Sequence, residues 1–321
     1  MKINLLTFDS PSGSPTQLHK FLWQGKGLQD TFAIVGALHG DNFNALKICS
    51  QLIEFFDRIE KDESADCKIQ GKVLLFPTLN IQASQTGQMV WPADGLNSNL
   101  SFPGSRQGEQ EEQMARAVYE EIFDVNAGIV IESGSRHYED VPHLKCHKAH
   151  SEERKMAFAS GLSIMREIEP SPAYKAQLFS QWAERSAPAL ILSGGTPGLL
   201  SQSYCDIAFQ GILKILLSLK ILKQNTKFEA EKRTTFFSSR QETIIRCQRP
   251  GLFQSSAKAG ANLKQGEAIG NITDPLTGKV IEEIIAPEKG TLVTVRQLPI
   301  IYKSEPVAIL MTEKKKGLWP F

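Results

Sequence analysis

The sequence has no apolar run long enough to span a membrane; its most hydrophobic stretch, Ile212 to Leu222, is broken by Lys214 and Lys220. Its first fifteen residues carry one lysine and only a brief apolar run, so the pattern of a secretory leader is missing and a cytoplasmic location is expected. Cysteines are few, scattered and odd in number: Cys49, Cys67, Cys146, Cys205 and Cys247. No CxxC pair occurs, so neither a disulfide framework nor a thiolate zinc site is suggested, and buried free thiols are the expectation. Charge of one sign is lacking too, since 36 basic and 35 acidic side chains give a net charge of +1. That balance excludes a general attraction to nucleic acid or to an acidic membrane surface, and Lys314 to Lys316 read as a solvated tail. Neither GxSxG, GxGxxG nor GxxxxGK[ST] occurs, so a serine-hydrolase elbow and nucleotide loops of those kinds have no support. What is present is ordinary globular material: 321 residues, 41% hydrophobic and 22% charged, enough for one large domain and a smaller one.

Short apolar runs rich in β-formers predict strands at Phe32 to Ala37, Lys72 to Phe76, Gly128 to Glu132 and Ala189 to Leu192. Between them, helical spacing predicts helices at about 41–59, 109–123, 174–186 and 203–222. Near-continuous apolar strands alternating with helices indicate an α/β domain over residues 1–222, with a mostly parallel sheet flanked by helices. After Lys223 helical periodicity disappears, and short β-rich segments alternate with Gly, Pro and Asn turns. A β-rich domain over residues 223–321 is expected, its boundary lying between Lys223 and Thr234.

Open α/β sheets place their sites outside the carboxyl ends of strands, and four such ends are informative. The first is Leu38-His39-Gly40-Asp41-Asn42; the second runs from Asn80 to Gly104 and includes Gly87, Pro92, Asp94, Gly95, Asn99, Phe102 and Pro103. The third is Ile131-Glu132-Ser133-Gly134 and the fourth Ile191-Leu192-Ser193-Gly194. In this order and spacing they resemble the succinylglutamate desuccinylase and aspartoacylase family of the zinc carboxypeptidase superfamily. Arg249 to Phe253, Gly260 to Gly266 and Ile285 to Gly290 extend the likeness into the C-terminal part, so that it covers about residues 30–311.

The resemblance implies a zinc-carboxypeptidase-like mixed sheet with a C-terminal β-rich domain, and a metal held by a His, a Glu three residues on and a second His. Here His39 matches, while Asn42 stands at the Glu position and Glu132 at the second His. An amide oxygen is neutral and a weaker zinc donor than a carboxylate, so His39, Asn42 and Glu132 make a poor set and zinc is expected to be weakly held or absent. The two arginines that the resemblance implies for carbonyl polarisation and carboxylate capture fall on Met89 and Leu100, neither of which can donate a hydrogen bond. The glutamate that would activate water falls on Leu192 or Ser193, according to a one-residue choice of alignment. Asp41, Asn99 and Ser133 remain as cleft residues.

Two readings stay open for the histidines after the third strand: a polar surface loop containing His137, His143, His147 and His150, or a replacement ligand among them, with His137 nearest Glu132. His39 is either a residual ligand or a hydrogen-bonded structural histidine. At the level of function, one hypothesis is a binding or regulatory homologue that holds a small-molecule ligand in the old cleft without hydrolysing it. The other is an atypical zinc-dependent deacylase cleaving the amide bond of an N-acyl amino acid-like substrate. The sequence leaves homo-oligomers open and points to neither a nucleic-acid nor a membrane partner.

Overall fold

Polar residues are interspersed through the first two strands, which the apolar-run criterion passes over. β1 (Lys2–Phe8) is only partly buried and β2 (Thr16–Gln24) buries Leu18 and Trp23 on opposite faces among polar residues; the two pair antiparallel at one edge of the main sheet. The computed structural model describes residues 1–9, 13–62, 64–147, 150–185, 187–224 and 234–312. The Lys314 to Lys316 run and most of the stretch between Lys223 and Thr234 lie outside the described residues.

The expected βα pattern follows: β3 (Thr31–Ala37), α1 (Phe43–Lys61), β4 (Cys67–Ile69), β5 (Lys72–Thr78), α2 (Ile81–Thr86), α3 (Gln110–Ile122) and β6 (Ala127–Ser133). Then come β7 (Tyr138–Cys146), α4 (Ser151–Ser160), β8 (Ile164–Glu167), α5 (Leu178–Ala183), β9 (Ala189–Gly195), α6 (Gln202–Ser218) and β10 (Leu222–Gln224). Helix α1 buries Ala45, Ile48, Cys49, Leu52, Phe56 and Ile59, a stripe at helical spacing that packs on the sheet, and ends with Arg58 and Lys61 near its carboxyl terminus. Helix α3 begins with a reciprocal capping box between Glu109 and Glu112. The helix expected over 174–186 shortens to α5, because a separate 3-10 turn at Pro172–Tyr174 takes up the preceding residues.

The centre of the sheet is parallel, in the order β5-β3-β6-β9, and β8 adds a further parallel pairing with β7. Beyond β9 the chain supplies β7, antiparallel to β9. The stretch from Tyr138 to Cys146 is therefore a strand inside the sheet and not a surface loop, with His137 in the turn before it. Its polar residues obscure this in the sequence: Val141, His143 and Leu144 sit among Glu139, Asp140 and Lys145, and only the packing shows which of them face inward.

The C-terminal strands are β11 (Thr235–Phe237), β12 (Glu242–Arg246), β13 (Gly251–Ser255), β14 (Asn262–Leu263), β15 (Ala268–Thr273), β16 (Val280–Ile285), β17 (Gly290–Arg296), β18 (Ile300–Ile301) and β19 (Pro306–Met311). β17 pairs with β7, and β19 and β12 follow, so the main sheet runs on past residue 222. The strands β16-β15-β13-β18 form a second, four-stranded sheet, and Phe253, Ile272, Leu292 and Leu310 belong to one core spanning both.

Gly128 shows how tightly the central strands pack. A methyl group there would lie 1.9 Å from Trp182 Cη2 and 2.7 Å from the Ala33 carbonyl oxygen. Neither the fully buried indole nor the backbone of β3 can retreat, so Gly128→Ala is expected to destabilise the protein by about 1–3 kcal/mol through overpacking. Urea denaturation of the two proteins side by side checks this; equal midpoints would show that Trp182 repacks freely.

Candidate functional site

The carboxyl ends of β3, β6 and β9 lie side by side, and the parallel register sets Val35 beside Val130 and Glu132 beside Ser193. His39 follows the end of β3 by two residues, next to this row. Gly40 is fixed by packing: a side chain there would sit 2.1 Å from the backbone of Ala83 in α2. The short helix α2 is in turn capped by Asn80, whose side-chain oxygen accepts from the Ala83 N–H at 3.1 Å while its amide donates to Ser98 Oγ at 3.0 Å. The frame residues of the second segment thus hold the loop that faces His39.

That loop supplies a residue the sequence reading passed over. Asn97 Oδ1 accepts from the Asn99 N–H at 3.0 Å and lies 2.9 Å from His39 Nε2. The backbone donor fixes which end of the Asn97 amide is oxygen, so His39 Nε2 carries the hydrogen and donates it. In the neutral ring Nδ1 then keeps the lone pair, an orientation suited to a metal-binding histidine whose second nitrogen is anchored. Asn97 lies two residues before Asn99, inside the very segment that carries the resemblance; a search for hydrogen-bonding partners of His39 there could have found it.

The other two positions are arranged differently. Asn42 is buried at the start of α1 and its side-chain nitrogen has no hydrogen-bond partner. Beside it, burial raises the Asp41 carboxyl above its usual range, against the opposing pull of His39 and Arg136. Glu132 Oε1 lies 2.7 Å from the ammonium of Lys145, which reaches over from β7. Lys145 also escaped the sequence reading, although it alternates with His143 as a residue on the same strand face must. Ser133 is buried, with its hydroxyl 3.5 Å from the Asn44 amide, and Asn44 holds the Ser201 N–H at 2.8 Å.

At the end of β9, Leu192 is buried in the main core and registers with Ile131 and Leu144. Ser193 registers with Glu132, but its hydroxyl donates to Asp140 Oδ2 at 3.1 Å, and Thr294 donates to the other oxygen of Asp140 at 2.6 Å. Met89 is half-buried and Leu100 exposed. Asn99 is buried, its side-chain oxygen accepting from the Leu178 N–H at 3.1 Å, which ties the loop to α5.

The histidines after β6 are spread out. His137 has a left-handed backbone (φ 72°) and its carbonyl accepts from Gln297 and Leu298, anchoring the C-terminal strands; burial and the neighbouring Arg136 and Arg296 lower its pKa. His143 is fully buried, His147 packs edge-on against Phe179, and His150 is exposed before α4.

A catalytic zinc needs three good protein donors around one open position. Here it would find His39 Nδ1, a neutral amide at Asn42, and a carboxylate at Glu132 already bound to an ammonium. Among the described residues no three His, Cys, Asp or Glu side chains are grouped to hold a metal ion, so His137 does not complete the set. The residues present do not fit the zinc that the family implies.

No family model matches the chain. It is 21% identical over 281 residues to the N-alpha-acetyl-L-2,4-diaminobutyric acid deacetylase of Halomonas elongata, covering 85% of this chain and 79% of that protein. Among solved structures, the succinylglutamate desuccinylase/aspartoacylase of Rhodobacter sphaeroides superposes with a TM-score of 0.79 at 18% identity, over 96% of this chain and 94% of that one. An aspartoacylase family protein of Mesorhizobium loti gives 0.77 at 20% identity, over 97% and 93%. The resemblance read from the strand-end segments is borne out, and the chain has the fold of the succinylglutamate desuccinylase and aspartoacylase proteins.

Proposed function

We propose that this chain is a non-hydrolytic binding or regulatory protein that uses the deacylase fold to hold a neutral, largely apolar small molecule. The observation that carries the reading is the end of β9. A hydrolase needs a base there to take a proton from water; Leu192 is packed into the core and the Ser193 hydroxyl is engaged by Asp140. The rim supports the ligand class. Leu96 and Leu100 flank the Asn97 that holds His39, and Leu199 and Leu200 follow Gly198, whose N–H is bonded to the Asp41 carbonyl. All four leucines are exposed, from 40% at Leu100 to 63% at Leu199, and an apolar ligand would cover them.

The competing reading is an atypical zinc-dependent deacylase. It draws on the orientation of His39 and on the likeness to a deacetylase. Calorimetry and thermal shift with paired ligands separate the two. N-acetylaspartate and N-succinylglutamate should give neither heat nor a shift, because no arginine stands at Met89 or Leu100 to compensate a desolvated carboxylate. N-acyl amides with aliphatic side chains should raise the melting temperature. Binding confined to the acidic compounds would reverse the assignment.

A further inference from the structure

We propose that Lys145 is the resident cation of this cleft: its ammonium neutralises Glu132 in place of a metal ion and keeps divalent cations out. The inference deepens the non-hydrolytic reading and rests on it. β9 lies between the two residues, and register puts Glu132 beside Ser193 and Lys145 beside Ile191. Paired residues project from the same face of a sheet, so both side chains rise on one side of β9. Their strands are two spacings apart, about 10 Å. Only two long side chains leaning toward each other over the middle strand can meet across that gap, and these meet at 2.7 Å. The contact is sheltered, with the Lys145 side chain 14% exposed and that of Glu132 21%.

Sheltering of this order makes an unpaired carboxylate unfavourable, so Glu132 needs a counter-charge whether or not a metal is offered. Arg166, the neighbour of Lys145 on β8, is engaged with Glu242 and leaves the role to Lys145. Asn42 fits the same scheme. A carboxylate there would add an anion beside Asp41, whereas the neutral amide adds no further charge for the Lys145 ammonium to offset. A dication binding His39 and Glu132 would have to displace the ammonium and then sit beside it.

The test measures zinc retained after dialysis against a chelator, and affinity by competition with a chromogenic chelator. The proteins are the full-length wild type, Asn42→Glu, and Asn42→Glu combined with Lys145→Met, Lys145→Gln or Lys145→Arg, with circular dichroism to confirm folding. Lys145→Gln keeps a hydrogen bond to Glu132 while removing the charge, and so guards against a Met variant that fails to fold. The wild type, Asn42→Glu and the Arg combination should retain little zinc. The Gln or Met combination should hold about one equivalent, at least about 100-fold more tightly than the wild type, and lose it when His39→Ala is added. Chelator-resistant zinc in the wild type that vanishes with His39→Ala would overturn the proposal. So would folded Gln and Met combinations that bind no better than the wild type. In that second case a wild type still inert toward N-acyl substrates would leave the non-hydrolytic reading intact, whereas turnover by the wild type would remove that reading on its own.

Discussion

Supplied with excess zinc, the protein is expected to leave N-acetylaspartate, N-succinylglutamate and N-alpha-acetyl-L-2,4-diaminobutyrate uncleaved. Positioned acid–base assistance alone contributes about 10²–10⁴ in rate, and here the base has no successor on β9. Metal activation of water requires a donor set that Asn42 and the Lys145-bound Glu132 do not provide. The missing arginines remove both carboxylate capture and polarisation of the scissile carbonyl. These losses act on different parts of the same reaction, so restoring one does not restore turnover. Product formation followed by chromatography over hours, with His39→Ala in parallel, is the measurement. Robust turnover that disappears in His39→Ala would show that a metal does assemble at the end of β3 and would end the non-hydrolytic reading.

The sequence made the centre of the fold legible because its strands are buried on both faces. Stretches such as Phe32 to Ala37 then read as unbroken apolar runs, and the helices between them keep a clear stripe. The edges were not legible in that way. β1 is only partly buried and β2 sets Leu18 and Trp23 among polar residues, and β7 mixes buried and polar residues because it carries a hydrogen-bonded network instead of plain core. The same difference governs the site. His39, Asn42 and Glu132 could be found by spacing against sterically fixed backbone frames such as His39-Gly40, where no side chain fits. Spacing alone gave Lys145 and Asn97 no role, since they act through contacts between segments 13 and 58 residues apart, although Asn97 lies within the second segment. Nor could spacing decide between Leu192 and Ser193. Sheet register shows them on opposite faces, one in the core and one in the Asp140 network, so neither alignment supplies a base.

His143 is expected to make the protein acid-sensitive well above the pH at which carboxylates protonate. Its Nδ1 donates to the Val141 carbonyl at 2.7 Å, while Nε2 is buried without a partner. Burial, reinforced by Lys145 and Arg166, pushes its pKa down to about 3 against the opposing pull of Asp140 and the Val141 carbonyl. In the unfolded chain a histidine titrates near about 6.5. Between those values the unfolded state binds a proton that the native state refuses, so stability is complete above about pH 6.5 and falls as the pH drops toward 3. One such group gives a slope of up to about 1.4 kcal/mol per pH unit. His19, His137 and His147, also lowered by burial, act in the same direction. The raised carboxyls of Asp41 and Glu111 act oppositely at the acid end, where the native state binds the proton more readily. The comparison that isolates His143 is therefore urea denaturation of the wild type and His143→Gln at pH 7.5, 6 and 5. Gln keeps a donor for Val141 and cannot gain a charge, so its stability should fall less steeply, and the difference between the two proteins should change by close to one proton's slope between pH 6 and 5. Parallel curves would mean that the buried ring is protonated in the native protein after all, with Asp140 as its partner.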